Sequence, residues 1–413
     1  MRVLQINSIC GIRSTGRICT DIAKELTGNG HESIIAYGRE PVPAEHREDS
    51  VRIGSNFEVY RHAASSLLFD SAGFGSRSAT YKFIDWIDGY NPDIIHLHSI
   101  HGYYINIEIL FDYLARTNKP VVWTLHDCWA FTGHCPYFTA ARCERWKTGC
   151  FDCPQKTKYP MSYLADRSRS NWIRKRELFS AVENMTIVTP SRWLSDLARE
   201  SFLGKYPVKV ICNGIDTGIF KPEASDFRER HSIGDKKIIL GVASVWEERK
   251  GLKDFIKLSE RLDDSCKIVI AGLSKWQIAK MPKEILCIGR TDNTGELAGL
   301  YNAADVFLNL TYEDNYPTTN LEAQACGTPV ITYCSGGSFE TIQAENACYV
   351  DAGDIDGVYE AIKSVKAMNR IPGETHCLPS LDKNQMIEKY LEIYSDIKEK
   401  GPVHSNKKDK TGV

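Results

Sequence analysis

Residues 314–331 read DNYPTTNLEAQACGTPVI, where two acids, Asp314 and Glu322, flank seven residues that open a short helix. Gly327 and Pro329 end that helix in front of an apolar strand. A helix N-terminus has free backbone N–H groups and the positive end of the helix dipole, so it favours a phosphate. The carboxylates on either side can accept hydrogen bonds from hydroxyl groups. The stretch therefore predicts a site for a nucleotide diphosphate sugar, whose pyrophosphate lies between ribose and hexose hydroxyls.

Apolar runs alternate with helical patterns along the chain, which indicates parallel strands covered on both faces. The predicted strands of the first half are 3–6, 33–37, 93–98, 121–125, 186–189 and 208–211, with helical patterns at 18–27, 105–116 and 172–181. Those of the second half are 238–242, 267–270, 285–288, 306–310 and 329–332. Between the halves, 213–234 carries Gly, Pro and charge, and we interpret it as a linker. We therefore expect an α/β protein of two doubly wound, Rossmann-like domains facing each other across a cleft, with ligands outside the carboxyl ends of the strands.

The composition is ordinary for a globular protein, with 25% charged and 42% hydrophobic residues. A length of 413 residues predicts two or three domains with substantial cores. The net charge of −2 argues against nucleic acid as a partner. No apolar run approaches the ~18 residues that span a bilayer. Because Arg2 leads directly into the first strand, we expect no signal peptide and a cytoplasmic protein.

Short motifs in the rest of the chain strengthen the expectation from 314–331. They are a Gly-rich loop after the first strand, TLHD at 124–127, VTPS at 188–191, NGID at 213–216 with Phe220 and Pro222, Lys250-Gly251, Leu321-Glu322-Ala323, and Gly336-Gly337 with Glu340. In this order they resemble the motifs of retaining glycosyltransferases of family 4, which have the GT-B fold. The resemblance covers nearly the whole chain.

The resemblance implies a division of the chain into four parts. An acceptor-binding, Rossmann-like domain would occupy 1–205, with a Cys-rich insert at 128–160. A nucleotide-sugar-binding, Rossmann-like domain would occupy 206–380. A C-terminal helix at 381–400, centred on 384–397, would cross back to the first domain, and 401–413 would be a disordered tail.

The resemblance places the donor site in the second domain. Backbone N–H groups at 318–321 and the cations of Lys250 and its neighbours would hold the pyrophosphate. Glu322 would accept from the ribose, and the first acid would hold the donor sugar. The base would lie against 289–291, and the base could be uracil or guanine. The implied donor-binding residues are Gly16, Arg249, Lys250, Arg290, Asp314, Asn315, Tyr316, Pro317, Thr318, Thr319, Asn320, Leu321 and Glu322.

Two positions depart from the family pattern. The first acid of the family is normally Glu, whereas this chain has Asp314 at that spacing, with Glu313 as the neighbouring alternative. The family's usual Arg, six residues before Lys250, falls on Ser244, so Arg249 or Arg290 would supply the missing charge.

The first domain would contribute the acceptor side and a catalytic histidine. The loop 11–17 would approach the donor phosphate across the cleft, and Gly16 would allow a close backbone approach. His126 ends a strand, so its side chain should face the cleft, and the resemblance implies contact with the transferred sugar. Asp127 is a weaker candidate beside it. The predicted catalytic residues are His126, Asp314 and Lys250.

Two further features stand outside the family motifs. Cys135, Cys143, Cys150 and Cys153 lie in the insert, and the closing Cys-x2-Cys has metal-ligand spacing, so they form either a structural zinc site or a group of reduced, packed thiols. His134 and Cys128 are spare ligand candidates. The segment 167–179 interleaves Arg and Lys with Trp172, Ile173, Leu178 and Phe179, and it predicts either peripheral docking on anionic lipid or a solvated helix face.

Together with these residues, the resemblance implies a retaining hexosyltransferase that moves a sugar from a UDP- or GDP-linked donor to a glycan or lipid-linked acceptor. The expected context is the synthesis of a surface polysaccharide such as a capsule or exopolysaccharide. We expect no catalytic cofactor and no Mg²⁺ dependence, because cations and a helix N-terminus would stabilise the leaving diphosphate. The alternatives are a nucleotide-sugar epimerase on the same fold, and a catalytically degenerate, zinc-stapled binding module. An epimerase would consume no acceptor.

Overall fold

The structure is a computed structural model that describes residues 1–291, 293–345, 347–365 and 381–400. Its strands are β1 (Arg2–Asn7), β2 (Glu32–Tyr37), β3 (Ser50–Arg52), β4 (Ile94–Leu97), β5 (Val121–Thr124), β6 (Met185–Thr189), β7 (Val208–Val210), β8 (Lys237–Val242), β9 (Cys266–Ala271), β10 (Leu286–Ile288), β11 (Val306–Asn309), β12 (Val330–Tyr333) and β13 (Cys348–Val350). Its α-helices are α1 (Arg13–Gly28), α2 (Asn56–Phe69), α3 (Arg77–Tyr90), α4 (Ile107–Thr117), α5 (Ser168–Ser180), α6 (Arg192–Glu200), α7 (Phe227–Arg230), α8 (Leu252–Ser259), α9 (Lys275–Ile278), α10 (Thr294–Ala303), α11 (Thr318–Ala325), α12 (Ile355–Ser364) and α13 (Lys383–Lys400).

The strands form two parallel sheets with the same winding. In the described residues, one sheet has the order β3-β2-β1-β4-β5-β6-β7 and the other has the order β10-β9-β8-β11-β12-β13. In each sheet the winding reverses direction beside the first strand, at β1/β4 and at β8/β11. Such a switch point leaves a crevice at the carboxyl ends of the strands. The predicted α/β fold with two doubly wound sheets is confirmed.

The predicted strands match observed ones to within one or two residues, but two short strands were missed. β3 and β13 each span three residues at a sheet edge, and both lack a run of buried apolar side chains. An edge strand pairs on one side only, so its sequence carries a weak apolar signal.

The helix α1 shows why the sequence pattern located most helices but not their starts. Its buried side chains include Ile18, Ile22 and Leu26, spaced by one helical turn, and they face the sheet. The apolar repeat begins at Ile18, so the pattern predicted a helix from there. The structure begins the helix at Arg13, and residues 13–17 are its first turn rather than a loop.

The segment 213–234 is packed into the second half rather than extended as a linker. Ile215, Phe220, Phe227 and Ile233 are buried in the core under the second sheet. The polar and Gly-rich composition that suggested a linker belongs to the residues between these four buried side chains.

The last helix, α13, packs on the first half. Met386, Ile387, Tyr390 and Tyr394 join a buried cluster with α1 and β1. Two hydrogen bonds reach the sheet itself: Tyr394 Oη lies 2.6 Å from His96 Nδ1, and Tyr390 Oη lies 3.0 Å from Thr124 Oγ1. These contacts place α13 on the first half of the chain. The predicted tail at 401–413, and 366–380 of the predicted second domain, lie outside the described residues.

A carboxylate of the second half accepts hydrogen bonds from free N–H groups at the N-terminus of a first-half helix. Glu340 accepts hydrogen bonds from Arg192 N (2.8 Å) and Trp193 N (2.7 Å), at the start of α6. Ser191 also caps this helix by accepting from Leu194 N. The two halves therefore meet through polar groups that have hydrogen-bond partners. Among the described residues, no helix is both long and apolar enough to cross a bilayer.

Candidate functional site

A cavity of about 610 Å³ lies between the two sheets, at the carboxyl ends of their strands. Its walls are loops that follow β1, β5 and β6 in the first half, and β8, β10 and β11 in the second. Of the predicted site residues, the cavity is lined by His126, Asp127, Arg249, Lys250, Arg290, Asp314, Asn315, Tyr316, Pro317, Thr318, Thr319 and Glu322. The fold therefore brings most of the predicted site to one place.

Two helix N-termini open into this cavity from opposite sides. α1 begins at Arg13, and α11 begins at Thr318; residues at both starts line the cavity. The N-cap residues are Ile12 and Pro317, whose apolar side chains cannot accept a hydrogen bond from the first turn. Both helix dipoles thus present positive ends and unsatisfied N–H groups to the cavity, an arrangement that favours an anion such as a diphosphate.

The cation expected at the end of β8 is bound to the first acid. Lys250 Nζ lies 2.5 Å from Asp314 Oδ2, and Arg249 Nη1 lies 3.9 Å from the same oxygen. Burial acts to raise the pKa of Asp314, but the positive charges of Lys250 and Arg249 outweigh it, so the pKa lies below its ordinary value. Asp314 is therefore ionised. Glu247 Oε2 also lies 3.1 Å from Arg249 Nε, so the two cations and the two acids of this group balance in formal charge.

The second acid, Glu322, is buried and contacts the opposite half. Its Oε1 lies 3.4 Å from Arg17 Nη2 in the first turn of α1, and Tyr301 donates to its Oε2 (3.0 Å). Burial raises the pKa of Glu322, although Arg17 and Tyr301 oppose the shift. Tyr301 was not predicted at the site. Arg17 belongs to the segment 11–17 that was expected near the donor phosphate, but its pairing with Glu322 is set only by the fold.

Glu313, the neighbouring alternative for the first acid, points away from the sugar end of the cavity. Its carboxylate accepts from Phe138 N (2.8 Å), Thr139 N (3.0 Å) and Ala140 N (3.0 Å), all in the Cys-rich insert. The side chain is 1% exposed. Glu313 therefore fastens the insert of the first half to the second half, and its oxygens are occupied by these amides.

Asn315 also joins the two halves. Its Oδ1 accepts from Ser191 Oγ (2.5 Å), and its Nδ2 donates to His126 O (3.2 Å) and Leu125 O (3.5 Å). The side chain is therefore engaged on both its donor and its acceptor atoms. It lines the cavity, but it positions the strand end that carries His126 instead of offering free groups to a ligand.

His126 belongs to a chain of hydrogen bonds that sets its tautomer. Gln5 Nε2 donates to Cys19 O (2.9 Å), so Gln5 Oε1 faces His98 Nε2 (3.3 Å), which must carry a proton. His98 Nδ1 is then an acceptor for His126 Nε2–H (3.1 Å). His126 Nδ1 is left unprotonated, as an acceptor.

Both histidines of this chain are neutral at pH 7. Burial lowers the pKa of His126 to about 4, against an opposing effect of Asp127, and burial holds the pKa of His98 well below its ordinary value. An unprotonated His126 Nδ1 suits a hydroxyl donor. The motif that carries His126 was visible in the sequence, but Gln5 and His98 carried no signal of this role.

Three predicted donor-binding residues are not among those that line the cavity. Gly16 O accepts from Gly11 N (3.2 Å), so Gly16 shapes the turn before α1, where an added Cβ would lie 3.2 Å from Gly11 N. Asn320 is buried between Asn309 and Thr341, and its backbone N–H already donates to Pro317 O (3.2 Å). Leu321 lies in the second core. The amides available at α11 are therefore those nearer its start.

The four cysteines of the insert line one small cavity together with His134. Cys135 and Cys153 share a thiol hydrogen bond, which lowers the pKa of Cys153 to about 7. Cys150 Sγ accepts from Gly133 N (3.2 Å). His134 pairs with Asp70 (2.6 Å).

Within the described ranges, no group of three or more His, Cys, Asp or Glu has an arrangement that could hold a metal ion. A structural zinc site at Cys135, Cys143, Cys150 and Cys153 stays a prediction, beside its alternative of reduced, packed thiols.

The basic helix α5 matches the second of its two predicted alternatives, a helix face that is solvated on one side and packed on the core on the other. Trp172 and Phe179 are buried in the core of the first half. Lys175 is buried, donating to Trp129 O (2.9 Å) and Thr132 O (3.2 Å), and burial lowers its pKa to about 7. Arg174 pairs with Glu108 (2.5 Å). The apolar side of the helix is therefore core.

Family models match both halves of the chain. The model described as Glycosyltransferase Family 4 matches residues 15–218, and the model described as Glycosyl transferases group 1 matches residues 223–375. The chain is also similar to a protein of Escherichia coli (strain K12) that is provisionally named colanic acid biosynthesis glycosyl transferase WcaC. The two are 26% identical over 415 residues, which cover 96% of this chain and 100% of that protein.

Solved structures share the fold. The chain superposes on sucrose-phosphate synthase from Thermosynechococcus elongatus with a TM-score of 0.67 and 14% identity, covering 96% of this chain and 98% of the other. It superposes on HepE of Anabaena, solved in complex with UDP-glucose, with a TM-score of 0.64 and 14% identity, covering 96% and 100%. At these identities the likeness concerns the fold, which is GT-B.

Proposed function

The chain is a glycosyltransferase with the GT-B fold, and we propose that it transfers a sugar from a nucleotide diphosphate sugar to a glycan or lipid-linked acceptor in polysaccharide synthesis. The observation that carries this proposal is the convergence of the α1 and α11 N-termini with Lys250 and Arg249 on one cavity. The similarity to WcaC over the full length supports the polysaccharide context. The neighbour HepE in complex with UDP-glucose supports the donor class.

In this proposal each end of the donor has its own acid. The diphosphate lies against the start of α11 and the cations of Lys250 and Arg249. Glu322, paired with Arg17 across the cleft, accepts from the ribose hydroxyls. Asp314 holds the donor sugar, because the carboxylate of its rival, Glu313, is used by the insert. The base lies toward Arg290 and Thr291, which line the same cavity.

We propose transfer with retention by attack on the same face from which the diphosphate leaves. The bond between the anomeric carbon and the diphosphate oxygen breaks, the acceptor oxygen bonds to that carbon, and the acceptor's proton passes to the departing diphosphate. The carboxylates that line the cavity support this route, because each is bonded to a protein group. Asp127 is bonded to His101, Glu247 to Arg249, Asp314 to Lys250, and Glu322 to Arg17. A carboxylate bound in this way is a poor nucleophile. Rate enhancement then comes from positioning and from the positive groups at the leaving oxygen.

We also propose that the protein contacts the membrane. The apolar side chains that would enter the bilayer are those of α2, because those of α5 lie in the core. Phe57, Tyr60 and Leu68 are 72%, 71% and 41% exposed and form one stripe along α2. Ala165 N donates to Leu68 O (3.1 Å), so 163–167 runs along the end of this helix and brings exposed Arg167 close. An anionic bilayer matches an apolar stripe with a basic end.

Vesicle sedimentation tests this contact. We expect binding to phosphatidylglycerol vesicles and not to phosphatidylcholine vesicles, and we expect Phe57→Ser with Tyr60→Ser to abolish it. The exposed Trp276, changed to Ser, is the matched control on the second half. Equal binding by both variants would refute the assignment to α2.

The central experiment measures hydrolysis and transfer across a panel of UDP- and GDP-sugars. We expect one donor to be consumed and the product to retain the anomeric configuration, read by NMR; an inverted product would refute the same-face route. Asp314→Asn and Glu322→Gln should each lower kcat at least about a hundred-fold, the effect expected of removing a group that stabilises the transition state. The exposed Asp264→Asn is the control. Consumption of no donor, or near-normal turnover in both variants, would refute the proposed function.

A further inference from the structure

A second cavity, of about 820 Å³, lies beside the first and is bordered by both halves. One wall is formed by the Cys-rich insert and the residue after it, within residues 135–161. The other wall is formed by residues 247–257 at the start of α8. The two cavities share Asp127, Tyr137, Glu247 and Arg249 as lining residues. The shared wall is therefore the place where they meet.

The sugar end of the first cavity is next to this shared wall. Arg249 borders both cavities, and its Nη1 lies 3.9 Å from Asp314 Oδ2, the acid that the proposed function assigns to the donor sugar. Arg249 also lies 4.0 Å from the centre of the Tyr137 ring. A group in the second cavity that reaches past Arg249 and Tyr137 thus arrives at the sugar end of the first cavity beside Arg249, one of the cations that the proposed function assigns to the leaving diphosphate.

The wall of the second cavity combines apolar surfaces with a few fixed polar groups. Met161, Pro136 and exposed Ala141 supply apolar surface. Tyr159 Oη lies 3.1 Å from His101 Nδ1, whose Nε2 lies 2.9 Å from Asp127 Oδ2. This chain of hydrogen bonds ends on the shared wall at Asp127, whose Oδ1 also accepts from Trp129 N (2.9 Å). Apolar surface with a small number of oriented polar groups is the usual chemistry of a specific small-molecule site.

The cations of the wall are matched by acids. Lys158 and Lys253 both pair with Glu248, and Lys257 pairs with Asp254 (3.3 Å). Arg249 pairs with Glu247, and Asp127 and Glu313 also line the described wall. Four cations thus face five acids, and the cavity has no positive excess that would select an anionic group. An uncharged, hydroxyl-bearing molecule fits this balance.

We infer that the second cavity is the acceptor site and that it takes an uncharged glycosyl unit, with the reacting hydroxyl at Asp127. This inference rests on the proposed function, because it needs the donor sugar at Asp314. An acceptor oxygen must come within roughly 3–3.5 Å of the anomeric carbon, and the shared wall provides that approach. The Cys-rich insert then determines which acceptor is used.

The test fills the second cavity without touching the first. Ala141 is exposed on the insert wall, so Ala141→Trp should fold normally and occupy the space of the acceptor. Ala224 is exposed outside both cavities, and Ala224→Trp is the matched control. The probes are UDP, the consumed nucleotide sugar, and a panel of p-nitrophenyl glycosides of neutral hexoses and N-acetylhexosamines as acceptors.

We expect wild-type enzyme to glycosylate at least one panel member, and Ala141→Trp to lower that transfer at least ten-fold. Donor hydrolysis and UDP affinity should stay within two-fold in Ala141→Trp, and Ala224→Trp should match wild type throughout. Unchanged transfer by Ala141→Trp would overturn the inference, as would an equal loss of donor hydrolysis. Wild-type enzyme that hydrolyses the donor but uses no panel glycoside would overturn the glycosyl class. Wild-type enzyme that hydrolyses no donor would instead refute the proposed function itself.

Discussion

Replacing Glu313 by Gln should loosen the insert from the second half while leaving the neighbouring acid in place. The carboxylate accepts three backbone N–H groups, two on Oε1 and one on Oε2. The Gln amide keeps one oxygen, so two of these bonds can persist without the charge. Its NH₂ group then faces a third N–H, and two donors meet without an acceptor.

The size of the effect follows from the hydrogen bonds lost. A hydrogen bond to a charged group contributes about 1.5–3 kcal/mol, and a buried donor left without a partner costs about 1–3 kcal/mol. Ala140 N is only partly buried, so water can partly replace its bond. We therefore expect Glu313→Gln to destabilise the docking of the insert by about 2–4 kcal/mol, which is roughly 30- to 1,000-fold in its opening equilibrium.

Limited trypsin digestion measures this opening directly, because Arg142 and Lys147 are exposed in the insert. Cleavage there should accelerate in Glu313→Gln while UDP affinity changes little, and the exposed Glu260→Gln should behave as wild type. Asp314→Asn should give the reverse, with lost turnover and an unchanged digestion rate. A Glu313→Gln protein with wild-type digestion but lost turnover would refute this reasoning, because Glu313 would then be the acid that holds the sugar.

Three further outcomes follow from the site. Gln5→Leu should lower kcat several-fold and move the acidic limb of the pH–rate profile, because His98 and then His126 lose their fixed tautomer. An unchanged profile would contradict the chain of hydrogen bonds from Gln5 to His126. Since burial lowers the pKa of His126 to about 4 from 6.5, the unfolded chain binds more protons between those values. Stability should therefore fall as the pH falls from 6.5 to 4, by up to about 3 kcal/mol for this residue. Denaturant midpoints for wild type and His126→Asn at pH 7, 5.5 and 4.5 should converge on acidification, and parallel curves would argue against it. Activity should survive EDTA, measured as donor consumption, because Lys250 and Arg249 face the leaving group; full loss restored by Mg²⁺ would refute this.

The buried strands and the order of helices between them follow from local patterns in the chain. A run of apolar residues such as 238–242 carries its own signal, since a parallel strand is covered on both faces wherever it occurs. The same is true of the helix start after Pro317, because an apolar N-cap leaves the first amides free regardless of the surroundings. Hence the GT-B architecture and the cavity residues around 314–322 could be predicted without coordinates.

Contacts between distant residues could not be predicted in this way. Glu313 and Asp314 are adjacent, and spacing alone left the first acid open, yet one carboxylate meets amides of residues 138–140 and the other meets Lys250. The segment 167–179 looked amphipathic, but its apolar side is the core of the first half. A sequence records which groups can bond or be buried, whereas the partner that satisfies each group is set by the packing of elements far apart in the chain. For this protein that packing bonds Glu313 to backbone amides of the insert and Asp314 to Lys250, although the two acids are neighbours in the sequence.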